Sequence, residues 1–378
     1  MAGIYIHIPF CKKRCLYCDF YSTTALEKKN DFLAALQKEI FLRRDFFPQE
    51  TPVETLYFGG GTPSFLHPGE VQIIVNCLRE NFLFSPAAEI TFEANPEDIN
   101  NNYLTSLLRT DINRLSLGIQ SFSNSFLALL NRRHNARQAI DAVTTAATKG
   151  FNNISIDLIY GLPGQSLAHW EQDLQQAMNL PVSHLSAYHL TYEQGTPLTT
   201  LLKEGKIEET PEDLSLQMFK LLIERTAQHG FEHYELSNFA RQGQYSRHNM
   251  AYWTGKPYLG LGPSAHSFDG EKRYHNTSHL EKYLQLLKDD KTAYESEILS
   301  FTDRMNERIM LALRTSAGLD LKDFEQSFGK EKKDLLVAGM KKFTRTGLVL
   351  LDEQKAVLST EGKFLSDMII RDLFFECK

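Results

Sequence analysis

Six short apolar runs, each followed by an amphipathic stretch, occupy the first half of the 378-residue sequence. Such repeated β-then-α units predict parallel strands joined by right-handed helical crossovers. The runs show little polar alternation, so both faces of the sheet are expected to be covered. A closed eight-stranded barrel would need two further units, and an incomplete six-stranded β/α barrel over residues 1–230 is therefore predicted. The strand-like runs are Ile4–Ile8, Thr55–Phe58, Glu89–Phe92, Arg114–Ile119, Ile154–Ile159 and His184–Leu190, and the helical patterns between them include Asp31–Arg43, Pro68–Asn81, Arg137–Lys149 and Leu167–Met178.

The remainder of the chain has a different pattern. Residues 231–300 lose the β/α rhythm and carry many aromatic residues, histidines and glycines, which indicates an extension of the barrel. Helical runs followed by a hairpin then predict a small winged-helix-like α+β domain over residues 301–378. Its acidic and basic residues nearly balance, so packing or partner docking is expected there rather than DNA binding. These runs are Met305–Leu313, Leu321–Phe328, Lys332–Thr344, Gly347–Leu350 and Ala356–Leu358.

Charge and hydropathy exclude several classes of protein. The formal net charge is -6 without a concentrated basic face, which argues against nucleic-acid binding. No run of about eighteen apolar residues exists to span a membrane. The first residues lack the basic and apolar regions of a secretory signal, so a cytoplasmic location is predicted. No basic amphipathic helix or lipidation motif indicates membrane attachment, and a peripheral membrane contact stays open.

Three of the five cysteines, Cys11, Cys15 and Cys18, fall within eight residues directly after the first predicted strand. In a reducing compartment, such crowding indicates a metal site rather than a disulfide. Three thiolates can hold three irons of a cubane iron–sulfur cluster and leave the fourth iron open for chemistry. A structural zinc site with His7 as fourth ligand and a chance cluster of surface thiols are the alternatives.

The neighbours of these cysteines are basic. Positive charge from Lys12, Lys13 and Arg14 is expected to favour the thiolate forms. Cys77 and Cys377 stand apart from the loop, and Cys77 falls in a helical pattern where a buried thiol is the ordinary outcome.

Polar or glycine features follow five successive predicted strands. Cys11 follows the first strand, Gly59–Pro63 the second, Glu93 the third and Gln120 the fourth, while Asp157 lies in the fifth. The carboxyl ends of barrel strands meet at one rim, so these residues are expected to form a ligand site there. Glycines at Gly59–Pro63 would let the backbone approach the ligand closely.

The C-x3-C-x2-C loop resembles the signature of the radical SAM superfamily. This resemblance implies an incomplete (β/α)6 TIM-type radical SAM barrel that binds a [4Fe-4S] cluster and S-adenosylmethionine (SAM). Four ordered motifs further resemble oxygen-independent coproporphyrinogen III oxidases and their relatives; they are Tyr5–Cys11, Gly59–Pro63, Arg114–Gln120 and Asp157–Pro163. The SAM contacts that the resemblance implies are Tyr5, Tyr17, Gly60, Gly61, Thr62, Glu93, Gln120, Arg132 and Asp157, with Thr191 and His266 as looser matches.

Three features are similar instead to the HemW-like haem chaperones. Phe20 stands where the oxidases carry a fourth cysteine, and the sequence reaches Tyr5 without their N-terminal extension. Arg247–Trp253 matches an HNxxYW motif, which implies that His248 binds haem iron between Tyr252 and Trp253. Alternatively, His248 only forms a local hydrogen bond and Trp253 lies in the core.

The expected function is therefore to bind haem and to transfer it to acceptor haemoproteins, with an electron donor serving the cluster. The rival is oxidative decarboxylation of coproporphyrinogen III. A zinc-bound interaction module is a third possibility.

Overall fold

Six parallel strands form the centre of the structure, a computed structural model that describes residues 2–376. Each strand lies within a few residues of its predicted position, and each is largely buried because helices cover the sheet. Cys377 lies outside the described residues. The strands are β1 (Ala2–Ile8), β2 (Val53–Gly60), β3 (Phe84–Ala94), β4 (Arg114–Gln120), β5 (Ile154–Tyr160) and β6 (His184–His189).

Helices connect these strands, and their ends follow local capping chemistry. The second helix begins at Pro68. There the His67 ring accepts a hydrogen bond from the Gly69 amide at 3.2 Å, and the Glu70 side chain accepts one from the His67 amide at 2.8 Å. The fifth helix is capped at its C-terminus by Gly150, whose φ of 114° suits glycine. The helices are α1 (Lys29–Leu42), α2 (Pro68–Asn81), α3 (Asn101–Leu107), α4 (Asn124–Leu129), α5 (Ala136–Lys149), α6 (Leu167–Met178), α7 (Pro197–Lys203) and α8 (Glu212–Gln228).

The region predicted as a barrel extension adds strands to both edges of the sheet. On one side, β7 (Phe231–His233) and β8 (Asn238–Arg241) continue antiparallel from β6. On the other side, the chain returns through α9 (Arg247–Trp253) so that β9 (Tyr258–Leu261) pairs in parallel with β1. Three antiparallel strands then extend that edge, and a helix precedes the last of them. These elements are β10 (His266–Phe268), β11 (Lys272–Asn276), α10 (Leu280–Lys288) and β12 (Tyr294–Ile298).

Within the described residues, the sheet order is β12-β11-β10-β9-β1-β2-β3-β4-β5-β6-β8-β7. β6 does not close onto β1, which confirms the predicted incomplete barrel. The structure does not test the domain boundaries predicted at residues 230 and 300, and they stay predictions.

The C-terminal part has a hydrophobic core of its own, which includes Ile309, Phe324 and Met340. Its helices and small antiparallel sheet confirm the expected α+β domain. No helix among residues 2–376 is both long and apolar enough to cross a bilayer. The elements are α11 (Phe301–Leu313), β13 (Leu319–Asp320), α12 (Leu321–Phe328), α13 (Lys330–Arg345), β14 (Val349–Leu351), β15 (Lys355–Leu358), α14 (Thr360–Phe364) and α15 (Ser366–Asp372).

Candidate functional site

A cavity of about 700 Å³ lies at the carboxyl ends of the central parallel strands. This position is where a β/α barrel gathers its functional loops. The three loop cysteines line the cavity, together with nine of the residues implied as SAM contacts. Those nine are Tyr17, Gly60, Gly61, Thr62, Glu93, Gln120, Arg132, Asp157 and Thr191.

The cysteine loop has no regular secondary structure and is fixed by backbone hydrogen bonds to distant segments. The Cys11 amide donates to the Thr23 carbonyl at 2.9 Å, and the Leu16 amide donates to the Leu130 carbonyl at 3.3 Å. The Leu198 amide in turn donates to the Leu16 carbonyl at 2.9 Å. The loop is therefore held in position by the protein's own backbone.

Two basic residues of the loop also make contacts with other parts of the protein. Lys12 pairs with Asp98 at 3.2 Å, and Arg14 donates to the Ser22 carbonyl. Burial raises the pKa of the Cys18 thiol to about 11 and also raises the pKa of Cys11. Arg14 lowers the pKa of Cys11, as predicted, but desolvation is the larger effect on both thiols.

Arg132 is the cation that contacts a loop thiol. Its Nη1 lies 3.3 Å from Cys15 Sγ, while Nη2 donates to Asn95 Oδ1 at 2.6 Å and to the Gly118 carbonyl at 2.7 Å. Its Nε is buried without a partner. Arg132 thus joins the cysteine loop to β4 and to the end of β3, and two of its five N–H donors, Nε–H and one on Nη1, take no part in these bonds.

The thiols suit a cluster better than a single zinc ion. Four sulfur or nitrogen ligands about 2.0–2.3 Å from one zinc must lie close together, whereas each cluster thiolate binds a different iron. Among residues 2–376, no three His, Cys, Asp or Glu side chains are grouped closely enough for one ion. His7 is not free as a fourth ligand, because its ring bonds to the Tyr5 hydroxyl at 3.2 Å and to the Tyr21 carbonyl at 2.9 Å.

The glycines after β2 are required by close packing. A Cβ on Gly60, whose φ is 101°, would lie 2.8 Å from the His7 ring. A Cβ on Gly61 would lie 2.9 Å from the carbonyl oxygens of Ile8 and Phe10. The backbone here therefore packs directly against the end of β1 and forms part of the cavity wall.

Two carboxyl groups share the cavity floor. Burial raises the pKa of Glu93 to about 8, opposed by a 2.7 Å hydrogen bond from the Tyr57 hydroxyl and reinforced by Asp157. Burial also raises the pKa of Asp157 to about 6, although Ser116 donates to it at 3.4 Å. Both groups would be ionised more readily beside a cationic ligand.

The backbone at Gln120 is strained. It has a φ of 71°, a conformation that side-chain-bearing residues rarely adopt. A Cβ on Gly118 would lie 3.0 Å from the Gln120 side-chain nitrogen and 3.5 Å from Arg132 Nη2. Such strain is often found at ligand sites, and here the side chains of Gln120 and Arg132 both lie beside Gly118.

Tyr5 and His266 do not line the cavity. Tyr5 is partly buried beside Tyr57, with ring centroids 6.2 Å apart. His266 lies on the short strand β10, with its ring 6.2 Å from that of His275. The assignment of these two residues as SAM contacts stays a prediction.

The residues predicted to bind haem lie elsewhere in the barrel. His248 is 2% exposed, and its ring hydrogen-bonds to Thr55 at 2.8 Å and to the Tyr252 hydroxyl at 2.9 Å. It also stacks on Tyr57 with centroids 5.1 Å apart. Both ring nitrogens are occupied, so iron could bind only after α9 moves. The Trp253 indole nitrogen is buried without a partner.

Sequence reasoning missed the far wall of the cavity. Arg314, Lys363 and Phe364 reach it from the C-terminal domain, and Tyr188 and His189 reach it from the end of β6. No local pattern marks these residues, because the wall exists only once the two parts of the chain pack together. Phe20, which stands in place of a fourth cysteine, also lines the cavity and is 65% exposed.

Comparisons with known proteins agree with this architecture. The radical SAM superfamily model matches residues 5–177, and the HemN C-terminal domain model matches residues 299–365. Coproporphyrinogen III oxidase (HemN) from Escherichia coli, described as a radical SAM enzyme, has a similar structure. Its TM-score is 0.85 at 27% identity, over 99% of this chain and 90% of that chain.

Similar curated proteins extend over nearly the whole sequence. Heme chaperone HemW from Bacillus subtilis is 31% identical over 374 residues, which cover 98% of each chain. Heme chaperone HemW from Mycobacterium tuberculosis is 33% identical over 376 residues, 98% of this chain and 94% of that protein. A mitochondrial protein of Danio rerio, radical S-adenosyl methionine domain-containing protein 1, is 30% identical over 99% of this chain and 87% of its own length. The chain therefore belongs to the radical SAM superfamily and, within it, to the HemW family.

Proposed function

We propose that this protein is a haem chaperone, which binds haem, a [4Fe-4S] cluster and SAM and transfers haem to acceptor haemoproteins. The observation that carries the proposal is the similarity to HemW from Bacillus subtilis over 98% of both chains. Phe20 at the position of the oxidases' fourth cysteine supports the chaperone over the oxidase.

Cys11, Cys15 and Cys18 would hold three irons of the cluster, and the fourth iron would be open to SAM. With SAM bound, the cluster supplies one-electron chemistry, while the protein supplies binding and orientation. Arg132 would orient the SAM carboxylate, since a guanidinium pairs strongly with that group. Glu93 and Asp157 would accept hydrogen bonds from the SAM amino group or ribose hydroxyls.

SAM affinity is expected to rise with pH between about 6 and 8. The raised pKa of Glu93 keeps this carboxyl protonated below about 8, and a cationic ligand favours its ionised form, so binding must release a proton. Affinity would then increase by up to about tenfold per pH unit. Calorimetry across this range measures the effect. Any protonation change of SAM itself affects the wild-type protein and Glu93→Gln equally, so the variant should show a weaker dependence of SAM affinity on pH. Equal pH dependence in both proteins would contradict the role of Glu93.

Haem binding is tested by titrating the anaerobically reconstituted protein with haemin. We expect a saturable Soret change and transfer of the bound haem to an apo-haemoprotein. A parallel anaerobic assay with coproporphyrinogen III, SAM and a reductant should give no protoporphyrinogen. Failure of the wild-type protein to bind haemin would overturn the proposed function.

A further inference from the structure

The cavity continues beyond the SAM-contact candidates to a second wall that has no assigned ligand. We call this the distal wall, and its residues are Tyr188, His189, Phe219, Arg314, Lys363 and Phe364. It combines the end of β6, one face of α8 and the C-terminal domain. A ligand there would contact both parts of the protein.

Lys363 is a half-buried cation that forms no ion pair within 4.0 Å among residues 2–376, although the buried Glu235 attracts it electrostatically. Its Nζ lies 3.3 Å from His233 Nδ1. The His233 ring accepts here, because its Nε2 donates to the Leu236 carbonyl at 3.1 Å and burial lowers its pKa to about 3. An ammonium group has three donors, so Lys363 retains capacity for an anionic ligand.

Arg314 places a second cation on the same wall. Its Nη2 donates to Asp367 Oδ1 at 2.5 Å, but Asp367 is largely exposed, with 83% of its side chain accessible. Arg314 Nε is buried without a partner. Arg314 and Lys363 therefore share two carboxylates, Asp367 and the buried Glu235, and both cations retain unused donors for a negatively charged ligand.

Aromatic surfaces lie beside these cations. Tyr188 is 43% exposed although it is part of the cavity wall, so its ring faces open space. Phe364 packs against Phe219 and His189, with ring centroids 6.0 Å and 6.4 Å apart. Aromatic surfaces beside two cations suit a flat, largely apolar molecule that carries carboxylates.

We propose that the distal wall binds the propionate carboxylates of haem, with Lys363 and Arg314 as their counterions. This assignment rests on the proposed function and locates the cargo in the cavity, away from His248. It also gives the C-terminal domain a role, because both cations belong to it. The cargo would then lie beside the cluster site rather than at the opposite end of the barrel.

The test compares haemin with haemin dimethyl ester, whose propionates carry no charge. Lys363→Met keeps the length of the side chain, and a lost charge-assisted hydrogen bond should raise the haemin dissociation constant about tenfold. Arg314→Gln should act in the same direction. Neither variant should weaken binding of the ester further, and Lys220→Met, which removes an exposed lysine paired with Glu361 at 2.8 Å, should leave haemin binding unchanged.

Thermal unfolding of each variant shows whether the fold is retained. Unchanged haemin affinity in both folded cavity variants, or an equal loss for haemin and its ester, would overturn this assignment alone. Absence of haemin binding by the wild-type protein would overturn the proposed function, and this assignment with it.

Discussion

Replacing Cys15 with alanine is expected to leave the protein without its iron–sulfur cluster. Three thiolates are the minimum that holds a cubane with one open corner, and the variant would keep only those of Cys11 and Cys18 in the loop. The Arg132 guanidinium, which lies 3.3 Å from Cys15 Sγ, would also lose this partner. The loss of iron should therefore be nearly complete.

Iron and sulfide content after anaerobic reconstitution measures this effect, together with the paramagnetic signal of the reduced protein. Cys77→Ala is the matched control, because Cys77 lies on α2 outside the loop. A second control is Asp157→Ala, which should keep the wild-type iron content and lose affinity for SAM. A Cys15→Ala protein with wild-type iron content would refute the assignment of the cluster ligands.

His248→Ala is expected to destabilise the fold by about 3 kcal/mol while leaving haemin affinity unchanged in the folded protein. The substitution opens a cavity inside the barrel. It also leaves the hydroxyls of Thr55 and Tyr252 without the partners that they have at 2.8 Å and 2.9 Å. Tyr57 loses its stacking partner as well, so the hydrogen bond from Tyr57 to Glu93 should be less well fixed.

Urea unfolding of the unreconstituted protein measures the stability change, and haemin titration measures the affinity. His275→Ala, which removes an exposed side chain on β11, is the control and should change neither quantity by much. If His248 is instead the haem ligand, His248→Ala should lose haemin affinity and keep its stability. A variant that unfolds like the wild type but loses the Soret change would support that assignment and exclude a structural role.

The parts of the fold that were predictable are those with a local cause. The ends of α2 and α6 coincide with the prediction, because a capping box precedes each helix. The central strands were recognisable because burial on both faces requires continuous apolar runs. Because the carboxyl ends of barrel strands meet at one rim, the loop cysteines, Glu93 and Asp157 could be predicted to lie together.

The parts that could not be predicted depend on contacts between distant residues. The pairing of Arg132 with Cys15 spans 117 residues, and the distal wall requires the C-terminal domain to be in place. Strands β7 to β12 have three to five residues each, too few for a periodic pattern to be distinguished from a loop. The burial of His248 has the same origin, since its ring and amide contact Thr55 and Glu89, which are far away in the sequence.

The position of β1 has a consequence for biosynthesis. Gly3 lies opposite Tyr258 in the sheet, so the strand that carries the cluster loop gains its second neighbour only from about 250 residues further along the chain. On the ribosome, a nascent chain would expose one edge of this strand until most of translation is complete, and such unpaired edges promote association between chains. Stable loading of iron should therefore follow release of the polypeptide, and truncated chains that end before β9 should aggregate rather than accumulate as folded barrels.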